Sequence, residues 1–344
     1  MTYMNKRILP VLLVLSLLLC ACDLLPDPNE GSRAVSEQSV WAMDTQMDLR
    51  LYGDADGTVM GSLTALLNEL DRTLSATDPD SALSALNESG RTEDERIVYL
   101  AGRARELSAM TDGALDITLL PVSRAWGFTT GSYRVVPDAE LEALRGVVGM
   151  DKITVADGTV SLPAGTMLDF GALAKGYAAD LCREKMEAAG VSGILSLGGN
   201  IQTVGTKPDG SDWIVGVQDP DDAGRYVLTL RLAGSAAAVT SGDYQRYFEE
   251  DGLRWCHILD PETLSPVRGS LRSVTVVISG DTLGGRKADG LSTALFVMRR
   301  EAGEAFWRER GGFDAIWIEA DGTIWVTPGL ADRVVEGGFE VIEP

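Results

Sequence analysis

The most regular hydrophobic pattern in the chain lies between Leu168 and Asn200. Leu173, Tyr177 and Leu181 recur every four residues, and Ala174, Ala178, Cys182 and Met186 form a second row beside them. That spacing predicts a helix with one broad apolar face. Gly190 stands where the residue just past a helix end favours glycine. A strand ending in Gly198-Gly199 follows. Lys175 runs against the local logic, because a cation in the first helical turn opposes the helix dipole. A helix start with a lysine and glycines close by suits a phosphate. A pairing with Asp169, or simple exposure to water, would account for the same lysine.

Helical spacing recurs elsewhere. Leu63, Leu66, Leu67, Leu70 and Leu74 share one side over 59–74, and Ser81 can cap a short helix running through Asn87. Further helices are predicted over 93–110, 137–145, 287–300 and 301–310. Strand patterns begin near Val40 and run through 41–52, where apolar and polar positions alternate towards the end. The segment ITVADGTVSL reads as a hairpin around Asp157-Gly158. After Gly199 the chain becomes a series of short β-branched and aromatic runs, at 201–205, 213–220, 226–232, 236–242, 254–260 and 271–279. Two more, 315–320 and 323–327, flank Asp321-Gly322. The expectation is an α+β domain over 40–344, with a mixed, largely antiparallel sheet and flanking helices.

The first residues change the picture. Lys6 and Arg7 precede an apolar run from Ile8 to Leu19, too short for an ordinary membrane span and suited to the core of a signal peptide. The run ends in Leu19-Cys20-Ala21-Cys22, which resembles a bacterial lipobox. On that reading residues 1–21 are a leader, Cys22 is lipidated and 22–39 form a tether with Pro26, Pro28 and Gly31. An ordinary secretory signal cut nearby is the alternative. Charge narrows the function further. With 30 Lys and Arg against 51 Asp and Glu, the net charge is −21. Such a surface argues against nucleic acid and against docking on anionic lipid. An anionic ligand must then be held by local cations or by a metal. In the body only Cys182 and Cys256 remain, without metal spacing, and they read as buried thiols. His257 is the sole histidine, so one chain cannot build a histidine-cluster metal site.

Several residues offer chemistry. Asp289 and Thr293 are four apart on a predicted helix, hence on one face. Two hard oxygen donors suit Mg²⁺, which normally keeps waters or substrate phosphates as its other ligands. The same pair is also explained by an acid matched to the helix dipole and a threonine bonded back to the helix. His257 is the one side chain here whose ordinary pKa lies near neutrality; a structural role is the alternative. Asp116 sits in apolar GALDITLLPVSRAWGF, 113–128, a segment able either to line a pocket for a flat ring or to pack in the core. Gly198-Gly199-Asn200 lets backbone approach a ligand closely. It is not a GxGxxG fingerprint, and neither GxxxxGK[ST] nor a GxSxG nucleophile motif occurs.

Taken together, these segments resemble the ApbE family, the FAD:protein FMN transferases. The resemblance rests on AMDTQMDLRLYG (42–53), LSATDPDSALSALN (74–87), GALDITLLPVSRAWGF (113–128), LDFGALAKGYAAD (168–180), SLGGNIQTVGTKPDGSDWIVGVQDP (196–220), AAVTSGDYQRYF (237–248), HILDPETLSPV (257–267) and ADGLSTALFVM (288–298), in that order. It implies a T-fold-like α+β architecture and Mg²⁺-dependent transfer of the FMN moiety of FAD to a Thr or Ser hydroxyl of an acceptor flavoprotein, releasing AMP. Asp289, Thr293 and the Ala172 carbonyl would hold Mg²⁺. Asp169 and Lys175 would contact the flavin nucleotide. Met43, Thr77, Ala114, Leu115, Asp116, His257 and Ile258 would surround the FAD, with His257 and Lys175 the candidates for catalysis. The implied acceptor is a flavin-bearing subunit of an ion-pumping or extracellular electron-transfer system, with the enzyme anchored by Cys22 on the outer face of a membrane. Two positions depart from the family pattern. Asp44 follows methionine where glycine is usual, and Thr77 replaces a common aromatic. The first bears on the loop beside the flavin ring, the second on whether FAD is transferred, hydrolysed to FMN and AMP by a Mg²⁺-dependent pyrophosphatase reaction, or merely held by a flavin-binding lipoprotein.

Overall fold

The computed structural model describes residues 35–281 and 283–344. The expected leader, Cys22 and tether residues 22–34 lie outside the described residues.

Among the described residues, nine strands form the main sheet. From one edge to the other they are Val35–Ala42, Thr45–Tyr52, Ser192–Leu197, Asn200–Val204, Ala236–Gly242, Leu271–Ser279, Asp314–Glu319, Ile324–Val326 and Glu340–Val341. Every neighbouring pair is antiparallel except the last, which is parallel. The sheet is therefore mixed and largely antiparallel, as the strand-rich second half of the chain predicts.

Period-two alternation decides which face each side chain serves. Met47, Leu49, Leu51, Leu195 and Leu197 pack against helices Thr58–Leu74, Glu95–Met110 and Ala174–Ala188. Farther along the sheet, Val239, Val274, Val276, Ile278 and Trp317 pack against the long helix Gly284–Arg310. The intervening residues Ala238, Val277, Ile316 and Ile318 point the other way. There they meet Trp213, Val215, Leu228 and Leu230 of a three-stranded sheet made by Trp213–Gln218, Tyr226–Leu232 and Val334–Glu336. Each such side chain fully buried contributes about 1.5–3 kcal/mol, so both faces have reason to stay covered.

Local chemistry accounts for the element ends. Ser81 Oγ accepts the Ser84 N–H at 2.9 Å and starts helix Ala82–Ser89. At the end of Ala174–Ala188, the Val191 N–H reaches the Met186 carbonyl (2.9 Å) and the Gly190 N–H the Glu187 carbonyl (3.1 Å). With Gly190 at φ 68°, this is a Schellman cap. The expected helices 287–300 and 301–310 join into one run that begins at Gly284 and breaks at Arg299, whose φ of 66° is non-helical.

One expectation changes in kind. The strand expected over 41–52 is a hairpin, with Val35–Ala42 paired to Thr45–Tyr52 around Met43 and Asp44. Both turn residues have positive φ, 52° and 57°, as a two-residue I′ turn demands. The first strand takes in residues 35–39, expected as tether. It is an edge strand, exposed along most of its length, so it carries no alternation until Val40 and Ala42. Among the described residues no helix is long and apolar enough to cross a membrane. Cys182 and Cys256 are free and buried, and burial pushes both thiols up to about 12.

Candidate active site

Two helices meet at glycines. A Cβ on Gly176 would lie 2.3 Å from the Gly285 carbonyl oxygen, and one on Gly285 would lie 2.5 Å from that of Gly176. This contact is open only to residues without a side chain. Across it each helix caps the other. Asp180 of Ala174–Ala188 accepts the Gly285 N–H (2.7 Å), the Arg286 N–H (3.2 Å) and Arg286 Nη1 (3.2 Å). Asp289 of Gly284–Arg310 accepts the Gly176 N–H through Oδ2 at 2.8 Å. Both carboxylates thus answer orphan N–H groups at the partner helix start. Burial pushes Asp180 up to about 6 against the pull of these donors.

The exchange has a consequence for Ala172. In an unbroken helix its carbonyl would receive the Gly176 N–H. That N–H is committed to Asp289 instead, and Ala172 is left lining the cleft. Thr293 lies one turn beyond Asp289, with Oγ1 3.2 Å from Ser241 Oγ. Ser241 Oγ is in turn 2.8 Å from Ser292 Oγ, which ties the long helix to strand Ala236–Gly242. Asp289, Thr293 and Ala172 line one cleft, and a carboxylate, a hydroxyl and a backbone carbonyl are hard-oxygen donors of the kind that fits Mg²⁺ with substrate phosphates or waters completing its shell.

The cleft has a volume of about 720 Å³, within the usual range for a cofactor site. Met43, Thr77, Ala114, Leu115, Asp116, Asp169, Ala172, Lys175, His257, Ile258, Asp289 and Thr293 all line it. These are the described candidates from the sequence, brought together from segments as far apart as 43 and 293. Five carboxylates, Asp44, Asp71, Asp116, Asp169 and Asp289, face two cations, Lys175 and Arg246. Lys175 Nζ donates to the Gly171 carbonyl at 3.3 Å and has no ion-pair contact with Asp169. Burial raises the pKa of Asp169, while the Gly171 N–H (2.7 Å), Arg246, Lys175 and Arg124 pull it back. Burial likewise raises Asp116, opposed by the Thr118 hydroxyl (2.6 Å) and N–H (2.7 Å).

His257 follows strand Leu253–Cys256. Its Nδ1 is 3.2 Å from the Arg246 carbonyl, which can only accept, so the proton sits on Nδ1 and Nε2 keeps its lone pair. Burial, with help from Arg246 and Lys175, pushes its pKa down to about 4. The imidazole is neutral at pH 7.

Some cleft residues were not singled out in the sequence for their side chains. Asp71 Oδ1 accepts the Met43 N–H at 2.9 Å and steadies the left-handed turn. Asn200 is buried, and its amide nitrogen has no partner. Arg246 and Ser241 belong to this group too. Asp180 did leave a trace, a lone acid among Ala178, Ala179 and Cys182 on an apolar helix face. Conversely, Trp126 of segment 113–128 is core: its Nε1 donates to the Leu264 carbonyl at 3.1 Å, and Phe128 reaches the cleft instead.

The chain is similar to known proteins over most of its length. The model of the ApbE family matches residues 43–317. An FAD:protein FMN transferase of Vibrio cholerae is 34% identical over 262 residues, covering 74% of this chain and 77% of its own. The Treponema pallidum protein of the same name is 34% identical over 290 residues, covering 78% and 79%. The Pseudomonas stutzeri flavinyl transferase ApbE, solved in its apo form, superposes with a TM-score of 0.78 at 32% identity, covering 89% of this chain and 98% of that one. The ApbE protein of Thermotoga maritima gives 0.78 at 29% identity, covering 85% and 96%. With the family model spanning most of its length and relatives above 30% identity, the chain belongs to the ApbE family.

Proposed function

We infer that the chain is an FAD:protein FMN transferase, moving the FMN moiety of FAD onto a Thr or Ser hydroxyl of an acceptor flavoprotein and releasing AMP. The observation that carries this is the convergence of twelve residues from separated segments on one cleft, including hard oxygen donors, a lysine and a neutral imidazole. Asp289, Thr293 and the Ala172 carbonyl would hold Mg²⁺. When bound, the ion polarises phosphoryl oxygens and stabilises charge on the leaving AMP.

The remaining steps belong to the chain's own groups. Lys175, at a helix start, binds the diphosphate. Met43, Ala114, Leu115 and Ile258 offer apolar surface to the flavin, and Thr77 and Asp116 border it. Asp169 orients the nucleotide beside Lys175. The acceptor hydroxyl oxygen bonds to the FMN phosphorus as the bond to AMP breaks. In this reading His257 Nε2, with its lone pair free, would take the hydroxyl proton.

Full-length protein incubated with FAD and Mg²⁺, with and without acceptor, tests the reading. Flavin bound to the acceptor by mass spectrometry supports transfer. Free FMN and AMP without acceptor indicate a pyrophosphatase, and unchanged FAD in both arms would sink the enzymatic reading. Asp289→Ala is expected to abolish Mg²⁺-dependent turnover.

The lipobox-like Leu19-Cys20-Ala21-Cys22 supports attachment through Cys22 to a membrane, facing the periplasm or exterior. A flavin-bearing subunit of an ion-pumping or extracellular electron-transfer system fits such a location. Cys22→Ser should move the protein into the soluble fraction; unaltered membrane retention would count against the anchor.

A further inference from the structure

Arg246 extends the pairing of Tyr247–Glu250 with Leu253–Cys256 by one position. It sits directly across from His257, and its carbonyl accepts the His257 N–H at 3.0 Å. Its guanidinium lines the cleft and lies 3.9 Å from Asp44 Oδ2. Asp44 comes from a different segment of the cleft lining, the Met43-Asp44 turn. At φ 57° it holds a conformation that glycine adopts freely and that costs other residues about 1–2 kcal/mol. The pair is open to water, with Arg246 49% and Asp44 68% exposed, so it is weak and readily exchanged.

The second observation is the charge balance. Five carboxylates against two cations make a poor resting place for a diphosphate. Lys175 and Arg246 both act on Asp169 and on His257, so their charges converge on one part of the cleft. A guanidinium offers a planar fork matched to phosphate oxygens, which an ammonium lacks.

We propose that Arg246 is a second cationic contact for the diphosphate of FAD, and that Asp44 competes with the diphosphate for it. Asp44 thereby sets how tightly phosphorylated flavins bind. The inference rests on the FMN-transfer reading, which supplies the dinucleotide.

Flavin fluorescence titrations of full-length protein with FAD and with riboflavin, which has no phosphate, test it. Arg246→Ala should weaken FAD roughly 10–100-fold, as expected for losing a hydrogen bond to a charged group, and leave riboflavin within about twofold. Asp44→Asn keeps a side chain tolerant of positive φ and should tighten FAD about 2–5-fold, with riboflavin unchanged. In the Arg246→Ala background Asp44→Asn should give no further gain. An unchanged FAD affinity in Arg246→Ala, an equal loss for riboflavin, or the same Asp44→Asn gain without Arg246 would each overturn the proposal. Wild-type protein that fails to bind FAD would overturn the transferase reading along with it. Wild-type binding with an indifferent Arg246 overturns this inference alone.

Discussion

Replacing Gly176 by alanine adds one carbon at the helix crossing that shapes the candidate metal site. Its Cβ would stand 2.3 Å from the Gly285 carbonyl oxygen and 2.6 Å from Arg286 Cα. Real Cβ contacts essentially never fall below 3.0 Å. The clashing atoms are backbone, so no side-chain rotation relieves them. The helices must part by about 1 Å, enough to take the 2.8 Å bond between the Gly176 N–H and Asp289 outside hydrogen-bonding range. Overpacking costs about 1–3 kcal/mol, and a lost hydrogen bond to a carboxylate about 1.5–3 kcal/mol. The gain in helix propensity returns about 1 kcal/mol. The net expectation is a loss of about 1.5–5 kcal/mol. Moving a proposed metal ligand by about 1 Å should also lower kcat on the order of 100-fold.

Gly61→Ala is the matched control. It lies in helix Thr58–Leu74 with nothing within 4 Å of its added Cβ. It should stabilise the protein by about 1 kcal/mol and leave turnover unchanged. Urea unfolding followed by circular dichroism reads the first quantity, and AMP release from FAD the second. A Gly176→Ala protein with wild-type stability and wild-type turnover would refute the reasoning.

Two other expectations follow from the titrating groups. His257 is the only histidine, so one imidazole signal in NMR reports it without assignment; its midpoint should lie near 4 in the free protein and rise when inorganic pyrophosphate binds, and a midpoint at the ordinary 6.5 would contradict its burial. Because the folded value lies below the unfolded one, this residue's contribution to stability is complete above pH 6.5 and is lost as pH falls towards 4. Asp180→Asn strands Arg286, whose side chain is 7% exposed, and should cost about 3–5 kcal/mol in the same urea assay. Asp180→Asn combined with Arg286→Met should recover much of that loss; no recovery would mean the pair acts through something other than charge.

The helices were legible because their apolar stripes face one core. Leu63 to Leu74 and Leu173 to Met186 repeat at helical spacing, and the buried faces follow that spacing. Turn chemistry was legible where the side chains are the usual ones, as at Asp157-Gly158, where both φ values are positive. It was hidden at Met43-Asp44, because neither residue advertises a left-handed turn. Asp71 holds that turn from 28 residues away, through the Met43 N–H. Residues 35–39 of the edge strand Val35–Ala42 were read as tether because a strand exposed along its length has no need of alternation. Lys175, Asp116, His257, Asp289 and Thr293 stood out by their own chemistry, and the other candidate cleft residues came through the resemblance of ordered motifs. What no local pattern carries is the contact between segments: Asp180 with Gly285, Asp289 with Gly176, and Arg246 with Asp44. Those depend on how two helices and two hairpins meet, and they are what turns a set of motifs into a site.

The transfer itself can be read from oxygen. If the acceptor hydroxyl attacks the FMN phosphorus, its own oxygen becomes the bridge to the protein. The reaction is run with FAD, Mg²⁺ and acceptor in water enriched in oxygen-18, and the flavin products are weighed by mass spectrometry. The account predicts acceptor-bound FMN and AMP that both lack the heavy isotope. Free FMN or AMP carrying oxygen-18, with the acceptor left unmodified, would contradict it.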